Sequence, residues 1–179
     1  MLKKGDVIEN RLTGEKLVFI ATTAETQGKT LEFDYFLKPN SPIEAEHFHP
    51  ETDHKIEVVK GTFTVKINGK ISRVAAGCSV IIPPGSPHKG WNAENDELHL
   101  KISMSPAMNF EGWYALCSDL AKRGKTSKNG TPDLLQLAVF MYENQCQSYF
   151  PRFKGLQKFL VKLAGPIGKR LGYRSSYVS

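Results

Sequence analysis

The sequence lacks the features of a secreted or membrane-spanning protein. Its opening residues, Met-Leu-Lys-Lys-Gly-Asp, contain no apolar stretch of the kind found in secretion signals. No uninterrupted apolar run reaches the roughly 20 residues that a helix needs to cross a bilayer. We therefore expect a cytoplasmic protein without a membrane-spanning helix.

Cysteine is also scarce. Its three occurrences, Cys78, Cys117 and Cys146, are far apart and form no Cys-x-x-Cys pair. An odd number at such wide spacing is typical of a reducing compartment and argues against a disulfide framework. We interpret all three as small buried side chains.

Several catalytic motifs are absent as well. The sequence has no Ser-His-Asp order, no phosphate-binding glycine loop and no Cys-His nucleophile pair. It contains no internal repeat, no low-complexity tract and no recognisable nucleic-acid-binding module. What remains is an ordinary composition, 40% hydrophobic and 23% charged over 179 residues, which fits one globular domain with an appended segment.

Four of the five histidines lie in two short segments. The first contains His47, His49 and His54, and the second, residues 83–88, ends with His88. Side chains alternate along a strand, so His47 and His49 point to the same side. Because two imidazoles are only half of a metal site, His54 and His88 are the candidates for the other half. Histidine clusters favour transition metals, whereas magnesium and calcium prefer oxygen ligands.

The spacing of these histidines resembles the two signature motifs of the cupin superfamily. In the first motif a His-x-His pair precedes an acidic ligand and then a glycine; here the pair is His47 and His49, and the glycine is Gly61. His54 occupies the place of the acidic ligand, which is a departure from the family pattern. The second motif is filled without a gap by Gly77, Pro83, Gly85, His88 and Asn92.

The resemblance implies an all-β fold with a helical extension: a cupin double-stranded β-helix, or jelly-roll, barrel followed by C-terminal α-helices. We assign residues 1–106 to the barrel and residues 107–179 to an extension that packs on the barrel or on a partner. Similar helical extensions occur on uncharacterised bacterial cupins. The family resemblance also implies a homodimer.

Short runs with strand-like alternation independently favour a β-barrel. In residues 31–37 every second side chain is large and apolar, and Asn68-Gly69 is a strong signal for a tight hairpin. The predicted strands cover residues 7–9, 17–21, 31–37, 43–49, 55–59, 63–67, 71–74, 79–82 and 97–104, and His88 opens a further one.

After the barrel the apolar spacing becomes helical. A first helix is predicted over residues 110–121. Thr131 as the N-cap and Pro132 at the first helical position start a second helix. A third helix covers residues 153–173, and Pro166 is expected to kink or end it.

Positive charge is concentrated at the C-terminal end. From Ser148 onward there are seven Lys and Arg residues and no Asp or Glu, whereas the rest of the chain is close to neutral. The helix over residues 153–173 has an apolar face beside a row of lysines, a pattern typical of helices that contact an anionic membrane surface or an acidic partner. We favour the alternative interpretation, in which the apolar face closes the barrel or a dimer interface.

We predict that His47, His49, His54 and His88 bind a divalent transition metal, namely Fe, Zn, Ni, Cu or Mn. A bulged strand would instead present one of the neighbouring carboxylates in place of His54. These carboxylates are Glu51, Asp53 and Glu57. An all-imidazole shell leaves the ion with its full charge of two, which favours an anionic small-molecule ligand such as an enolate, a phenolate or a carboxylate.

Four residues are candidates to line the ligand pocket: Tyr35, Phe48, Glu57 and Trp91. Core or rim packing is the alternative for the three aromatic side chains. Glu57 and Tyr35 are also conceivable general bases, but no catalytic residue is assigned. His99 lies outside both motifs and is interpreted as an ordinary strand residue.

Three hypotheses of function follow. The first is a metal-dependent dioxygenase acting on a small anionic or enolisable organic compound. The second is a non-catalytic small-molecule-binding or sensor protein. This hypothesis is favoured by His54, which replaces the acidic ligand of the family motif, and by the basic C-terminal helix. The third is an isomerase or lyase that uses the metal as a Lewis acid without dioxygen.

Overall fold

The computed structural model describes residues 2–41, 45–144 and 148–176. Within them lie nine strands followed by three helices, which confirms the all-β fold with a helical extension. The strands are β1 (Val7–Asn10), β2 (Glu15–Ala21), β3 (Leu31–Leu37), β4 (Asp53–Lys60), β5 (Thr62–Ile67), β6 (Lys70–Ala75), β7 (Ser79–Ile82), β8 (His88–Asn92) and β9 (Leu98–Ser105). The helices are α1 (Phe110–Lys122), α2 (Leu134–Asn144) and α3 (Lys154–Arg170).

The strands form two antiparallel sheets. The larger has the strand order β1-β2-β3-β9-β4-β7, and the smaller has the order β6-β5-β8. Neighbours in sequence are not always neighbours in the sheet, because β9 lies between β3 and β4. The predicted Asn68-Gly69 turn joins β5 to β6 and leaves Ile67 paired with Lys70. This arrangement of crossing antiparallel strands is the jelly-roll topology that the motif resemblance implies.

The hydrophobic core lies between the two sheets. On β3 the predicted alternation is present, since every second side chain from Leu31 to Leu37 is fully buried. Phe63 and Val65 of β5 face these side chains from the smaller sheet and belong to the same core cluster. Burial of this apolar surface is the main favourable contribution to the stability of the barrel.

Helix α1 is attached to the barrel at several points. The ring of Tyr114 lies 5.5 Å from the ring of Phe33, and the hydroxyl of Ser118 donates a hydrogen bond to the carbonyl of Glu9 at 2.9 Å. Phe110, the first residue of α1, is buried within the barrel core cluster. The first helix therefore closes one side of the barrel.

The start of α2 differs from the predicted one. Oδ1 of Asp133 accepts hydrogen bonds from the backbone N–H groups of Leu135 and Gln136, each at 2.9 Å, so Asp133 caps the helix. Thr131, the predicted N-cap, instead shares a backbone hydrogen bond with Ser127 in the preceding loop. The prediction was wrong by two residues because Asp competes well for the cap position.

For helix α3 the structure excludes one alternative of each of two expectations. It continues through Pro166 to Arg170, so the proline does not end it. Its apolar face does not close the barrel either, because Phe159 and Leu163 are 64% and 56% exposed. The helix packs instead on α2, with Gly168 against Val139.

Two smaller expectations also fail. Residues 45–49 do not form a continuous strand, because only His47 and Phe48 pair, each in an isolated bridge. Residues 43 and 44 of the predicted strand lie outside the described residues. The cysteines were expected to be buried, and this prediction is wrong for Cys78, which is exposed. Cys117 is half-buried, and Cys146 lies outside the described residues.

Candidate metal centre

A backbone bridge joins the two histidine segments. The N–H of His47 donates to the carbonyl of His88 at 2.9 Å, and the N–H of His88 donates back to the carbonyl of His47 at 2.7 Å. Residues paired in this antiparallel manner project their side chains to the same face. The two ring centroids consequently lie 4.5 Å apart, although the residues are far apart in the sequence.

His49 completes the cluster at this face. The proline-glycine turn of the second segment holds its backbone, because the N–H of Gly85 donates to the carbonyl of His49 at 2.7 Å. Its ring centroid lies 4.8 Å from that of His47 and 5.5 Å from that of His88. The Nε2 atoms of His47 and His49 are 3.0 Å apart.

His54 reaches the same cluster from β4. Its cross-strand neighbours are Ile82 on one side and Met104 on the other, both buried. Its ring stacks on that of His49 at a centroid distance of 4.7 Å and lies 5.2 Å from that of His88. Its Nε2 is buried and has no hydrogen-bond partner among the described residues. A buried polar atom left without a partner needs an explanation, and a bound ion is one.

Phe110 of α1 forms an apolar wall beside the histidines. Its ring presents edge-to-face contacts to His49 at 4.8 Å and to His54 at 6.2 Å. Phe110 is not among the site residues predicted from the sequence. No local signal identifies it, because the contact joins the helical extension to the barrel across a long stretch of chain.

The orientations of two imidazole rings are fixed by backbone carbonyls. Nδ1 of His47 donates to the carbonyl of Ala45 at 2.7 Å, and Nδ1 of His88 donates to the carbonyl of Ser86 at 2.8 Å. A neutral imidazole that donates through Nδ1 has a lone pair on Nε2. Carbonyls that orient a histidine in this way are the usual outer partners of metal-binding imidazoles.

Three of the histidines, His47, His54 and His88, favour the neutral form. Burial and the nearby positive form of His47 together lower the pKa of His88 to about 4, although the hydrogen bond from its Nδ1–H to the carbonyl of Ser86 acts in the opposite direction. Burial also lowers the pKa of His47, and it holds the pKa of His54 well below its usual range, with His88 and His47 adding to the effect. Deprotonated nitrogens are therefore available to a metal without competition from protons.

The cluster fits an ion that prefers imidazole ligands. One ring nitrogen from each of His47, His49 and His88 lies within 4.8 Å of the other two. Two nitrogens that each lie about 2.1 Å from one ion are about 3.0 Å apart when the nitrogen–ion–nitrogen angle is a right angle. They are at most about 4.2 Å apart, when they lie on opposite sides of the ion. The separation of 3.0 Å between His47 and His49 matches the first value. A shift of no more than about 0.6 Å brings the widest pair into range.

The alternative of a carboxylate ligand finds no support in the placement of β4. Glu57 is exposed, and the side chains of Asp53 and Glu57 alternate with that of His54 along the strand. The pairing of β4 with β7 runs without a bulge from His54 to Glu57. Among the residues that the structure describes, the group with metal-ligand spacing contains imidazoles only.

The four predicted pocket residues are not brought together with the histidines. Phe48 and Trp91 alternate with the inward-facing histidines of their segments, and Phe48 pairs instead with Tyr149 of the extension. Glu57 faces outward, as described above. Tyr35 is fully buried in the core, where its hydroxyl donates to the carboxylate of Glu15 at 2.5 Å.

His99, outside both motifs, lies on the outer face of the larger sheet. Its Nε2 is 2.8 Å from the carboxylate of Asp34, and its ring stacks on Phe36 at 4.2 Å. It is half-buried and takes no part in the cluster. The interpretation of His99 as an ordinary strand residue agrees with this placement, and the residue serves as a control for the experiments below.

Acidification is expected to destabilise the metal-free protein through the buried histidines. Unfolded His88 titrates near 6.5 and folded His88 near 4, so the unfolded state binds more protons between these values. Stability is therefore retained above about pH 6.5 and lost as the pH falls toward about 4. Between about pH 7 and about pH 5, His88 alone accounts for a loss of about 2 kcal/mol.

Urea unfolding of the chelator-treated protein at these two pH values measures the effect. His88→Gln is expected to remove the share of His88 from the pH dependence, because glutamine does not titrate. The same pH dependence in both proteins would show that His88 is not held neutral by the fold.

Comparisons with known proteins agree with the fold. The family model described as "Cupin domain" matches residues 34–104. An oxidoreductase from Arthrobotrys oligospora is 29% identical over an alignment 147 residues long, which covers 72% of this chain and 56% of that protein. The chain therefore spans just over half of the length of this relative.

Two solved structures share the barrel. An RmlC-like cupin from Shewanella frigidimarina superimposes with a TM-score of 0.51 at 20% identity, covering 60% of this chain and 89% of the other. A predicted oxalate decarboxylase from Thermotoga maritima superimposes with a TM-score of 0.50 at 19% identity, covering 59% and 98%. At this level of identity the likeness concerns the fold. Together with the two histidine motifs and the family match, it shows that residues 34–104 form a cupin domain.

Proposed function

We propose that this protein is a metal-dependent oxidoreductase, more narrowly an oxygenase, that acts on a small anionic or enolisable organic compound. The observation that carries the proposal is the buried group of imidazoles with metal-ligand spacing. The oxidoreductase from Arthrobotrys oligospora supports the general class of reaction, at 29% identity. The substrate and the use of dioxygen are our inference from the chemistry of the site.

In this proposal His47, His49, His54 and His88 hold a divalent transition metal. Such an ion, when bound, polarises a coordinated oxygen atom and, if redox-active, supplies electrons to dioxygen. The carbonyls of Ala45 and Ser86 keep two of the rings in the tautomer that carries a lone pair on Nε2. Burial of the rings among apolar side chains limits the access of water and strengthens electrostatic interactions inside the site.

The charge of the site determines the kind of ligand it favours. Neutral imidazoles contribute no negative charge, so they leave the charge of a divalent ion uncompensated. An anion that binds there, such as an enolate, a phenolate or a carboxylate, removes an unfavourable buried charge.

Neither of the two conceivable general bases named from the sequence lies at the histidine cluster. The carboxylate of Glu57 faces outward, and the hydroxyl of Tyr35 is engaged by Glu15 in the core. General base catalysis requires a group within hydrogen-bond reach of the proton to be removed. The arrangement therefore favours substrates that are already anionic near neutral pH.

The same observation favours a second candidate, a non-catalytic protein that binds a metal and an anionic ligand. Neither the oxygenase nor the binding protein needs a general base from the protein. Both are expected to bind a metal and an anion, and only the oxygenase is expected to convert its ligand. An isomerase or lyase that uses the metal as a Lewis acid is separated from the first candidate by its independence of dioxygen.

Oxygen uptake tests the proposed function. The protein is purified without a histidine tag, its metal content is measured, and uptake is followed with 1,3-diketones, phenolates and 2-oxo acids. We expect uptake coupled to substrate loss in the wild type and in His99→Ala, and no uptake in His47→Ala. Substrate loss without oxygen uptake supports the isomerase or lyase, and ligand binding without substrate loss supports the non-catalytic candidate.

Three other expectations remain predictions. They are the homodimer implied by the family, the cytoplasmic location, and the division into a barrel of residues 1–106 and an extension of residues 107–179. The contacts of Phe110 and Tyr114 with the barrel indicate that the first helix of the extension depends on the barrel for its packing.

A further inference from the structure

Helix α3 presents an uncovered apolar surface, which we call the α3 stripe. Its six side chains are each at least 46% exposed. The stripe consists of Leu156, Phe159, Leu160, Leu163, Ile167 and Leu171. These residues recur at the helical spacing of three and four, so they lie on one side of α3. Contiguous apolar surfaces of this kind on a soluble protein usually mark an interaction site.

The stripe is exposed because α3 uses a different face to pack on α2. A Cβ atom added to Gly165 would lie 2.5 Å from Tyr142, and one added to Gly168 would lie 2.6 Å from Val139. These separations are too short for any side chain, so the glycines let the two helices approach closely. With the small residues turned toward α2, the large apolar side chains are left pointing elsewhere.

The charges around the stripe identify its partner. The sequence from Ser148 onward carries seven Lys and Arg residues and no acidic residue. At about 100° per residue, Lys158 and Lys162 fall between the face that packs on α2 and the edge of the stripe at Phe159. Long basic side chains beside an apolar face match a surface that is apolar inside and negatively charged outside.

We propose that the α3 stripe docks on the surface of an anionic lipid bilayer. The helix lies in the plane of the membrane, with the stripe among the acyl chains and the lysines at the headgroups. None of the helices within the described residues is long and apolar enough to cross a membrane, which fits docking in the plane. The proposal does not depend on the metal site or on the proposed function.

A second copy of the chain fits the surface less well. A symmetric dimer places the same patch of both copies face to face. The lysines beside one stripe would then lie near those beside the other. The chain from Ser148 onward has no acidic residue to compensate them, and Glu143 of α2 is already paired with Lys169. Anionic headgroups provide this compensation. A nucleic acid would satisfy the charges but would leave the apolar side chains in water.

Vesicle binding of the full-length protein tests this proposal. Phosphatidylcholine vesicles with and without phosphatidylserine are sedimented with wild type and with the double variant Phe159→Asp/Leu163→Asp. The matched control is Ile71→Asp/Ile81→Asp, which places the same charges on apolar barrel residues that are 59% and 60% exposed. All four positions are exposed, so the variants are expected to fold, and circular dichroism checks this.

We expect binding to phosphatidylserine vesicles that weakens at high salt, at least about tenfold weaker binding in the stripe variant, and wild-type binding in the control. Lys162→Glu is expected to weaken binding only where phosphatidylserine is present. Equal binding of the stripe variant and wild type would overturn the proposal, as would binding that is indifferent to lipid charge. Self-association without vesicle binding, abolished in the stripe variant, would assign the surface to a second copy instead.

Discussion

Replacing His88 with alanine is expected to lower the affinity for a divalent transition metal by more than about 100-fold. Loss of an outer partner of a metal ligand typically costs 10–100-fold, and loss of the ligand itself costs more. His88 is central to the cluster, since its ring lies within 5.5 Å of the rings of His47, His49 and His54. Competition with a chromophoric chelator, together with the metal content after purification, measures the change.

His99→Ala is the matched control for this prediction. It removes the same ring from the outer face of the sheet, where the imidazole pairs with Asp34 and stacks on Phe36. We expect wild-type metal content and affinity in this variant. Equal metal affinity of His88→Ala and wild type would mean that the cluster is a packed group of histidines and not a metal site.

Replacing Phe110 with alanine is expected to destabilise the protein by about 3–5 kcal/mol. The ring is only 6% exposed and is packed against His49 and His54, so its removal leaves a cavity beside the histidines. Water that enters this cavity stabilises the charged form of His54, so the pKa of His54 is expected to rise toward its usual value. Urea unfolding measures the change in stability, and NMR titration of the histidine rings measures the pKa.

Phe159→Ala makes the same chemical change at a position that is 64% exposed. A surface substitution of this kind typically changes stability by less than about 0.5 kcal/mol. If both variants were destabilised equally, the packing of Phe110 against the histidines would not be what stabilises this part of the fold. Phe110→Leu retains most of the apolar volume and is expected to fall between the two.

The sequence predicts the parts of the fold that depend on neighbouring residues. The alternation along β3 is a property of seven consecutive residues, and its predicted bounds are those of the structure. The turn at Asn68-Gly69 depends on two residues whose backbone readily adopts positive φ, and both do so. The grouping of His47, His49 and His88 can also be predicted, because the spacing of the two motifs is typical of segments that become neighbours in the folded barrel.

Features that depend on distant contacts are not recoverable in the same way. Phe110 contacts His49 only once the barrel has formed. Helical periodicity predicts that Phe110 lies on the apolar face of α1, but it does not predict which residue that face contacts. The bridge from Phe48 to Tyr149 draws the extension to the outer side of the first histidine segment, opposite the predicted pocket. Neither contact has a local sequence signal.

The orientation of α3 shows a different limit. An amphipathic pattern ordinarily predicts that the large apolar side chains face the protein. In α3, Gly165 and Gly168 face α2 and Leu163 faces solvent, because close approach of the two helices needs small residues at the contact. The pattern identifies the two faces but does not indicate which one is covered.

X-ray absorption spectroscopy of the metal-loaded protein is the most direct test of the central claim, that histidines from both motifs bind one ion. We expect a first shell of three or four imidazole nitrogens at about 2.1 Å, with the multiple scattering that imidazole rings produce, and loss of part of this shell in His88→Ala. A first shell dominated by oxygen or sulfur, or a spectrum that is identical in His88→Ala, would contradict it.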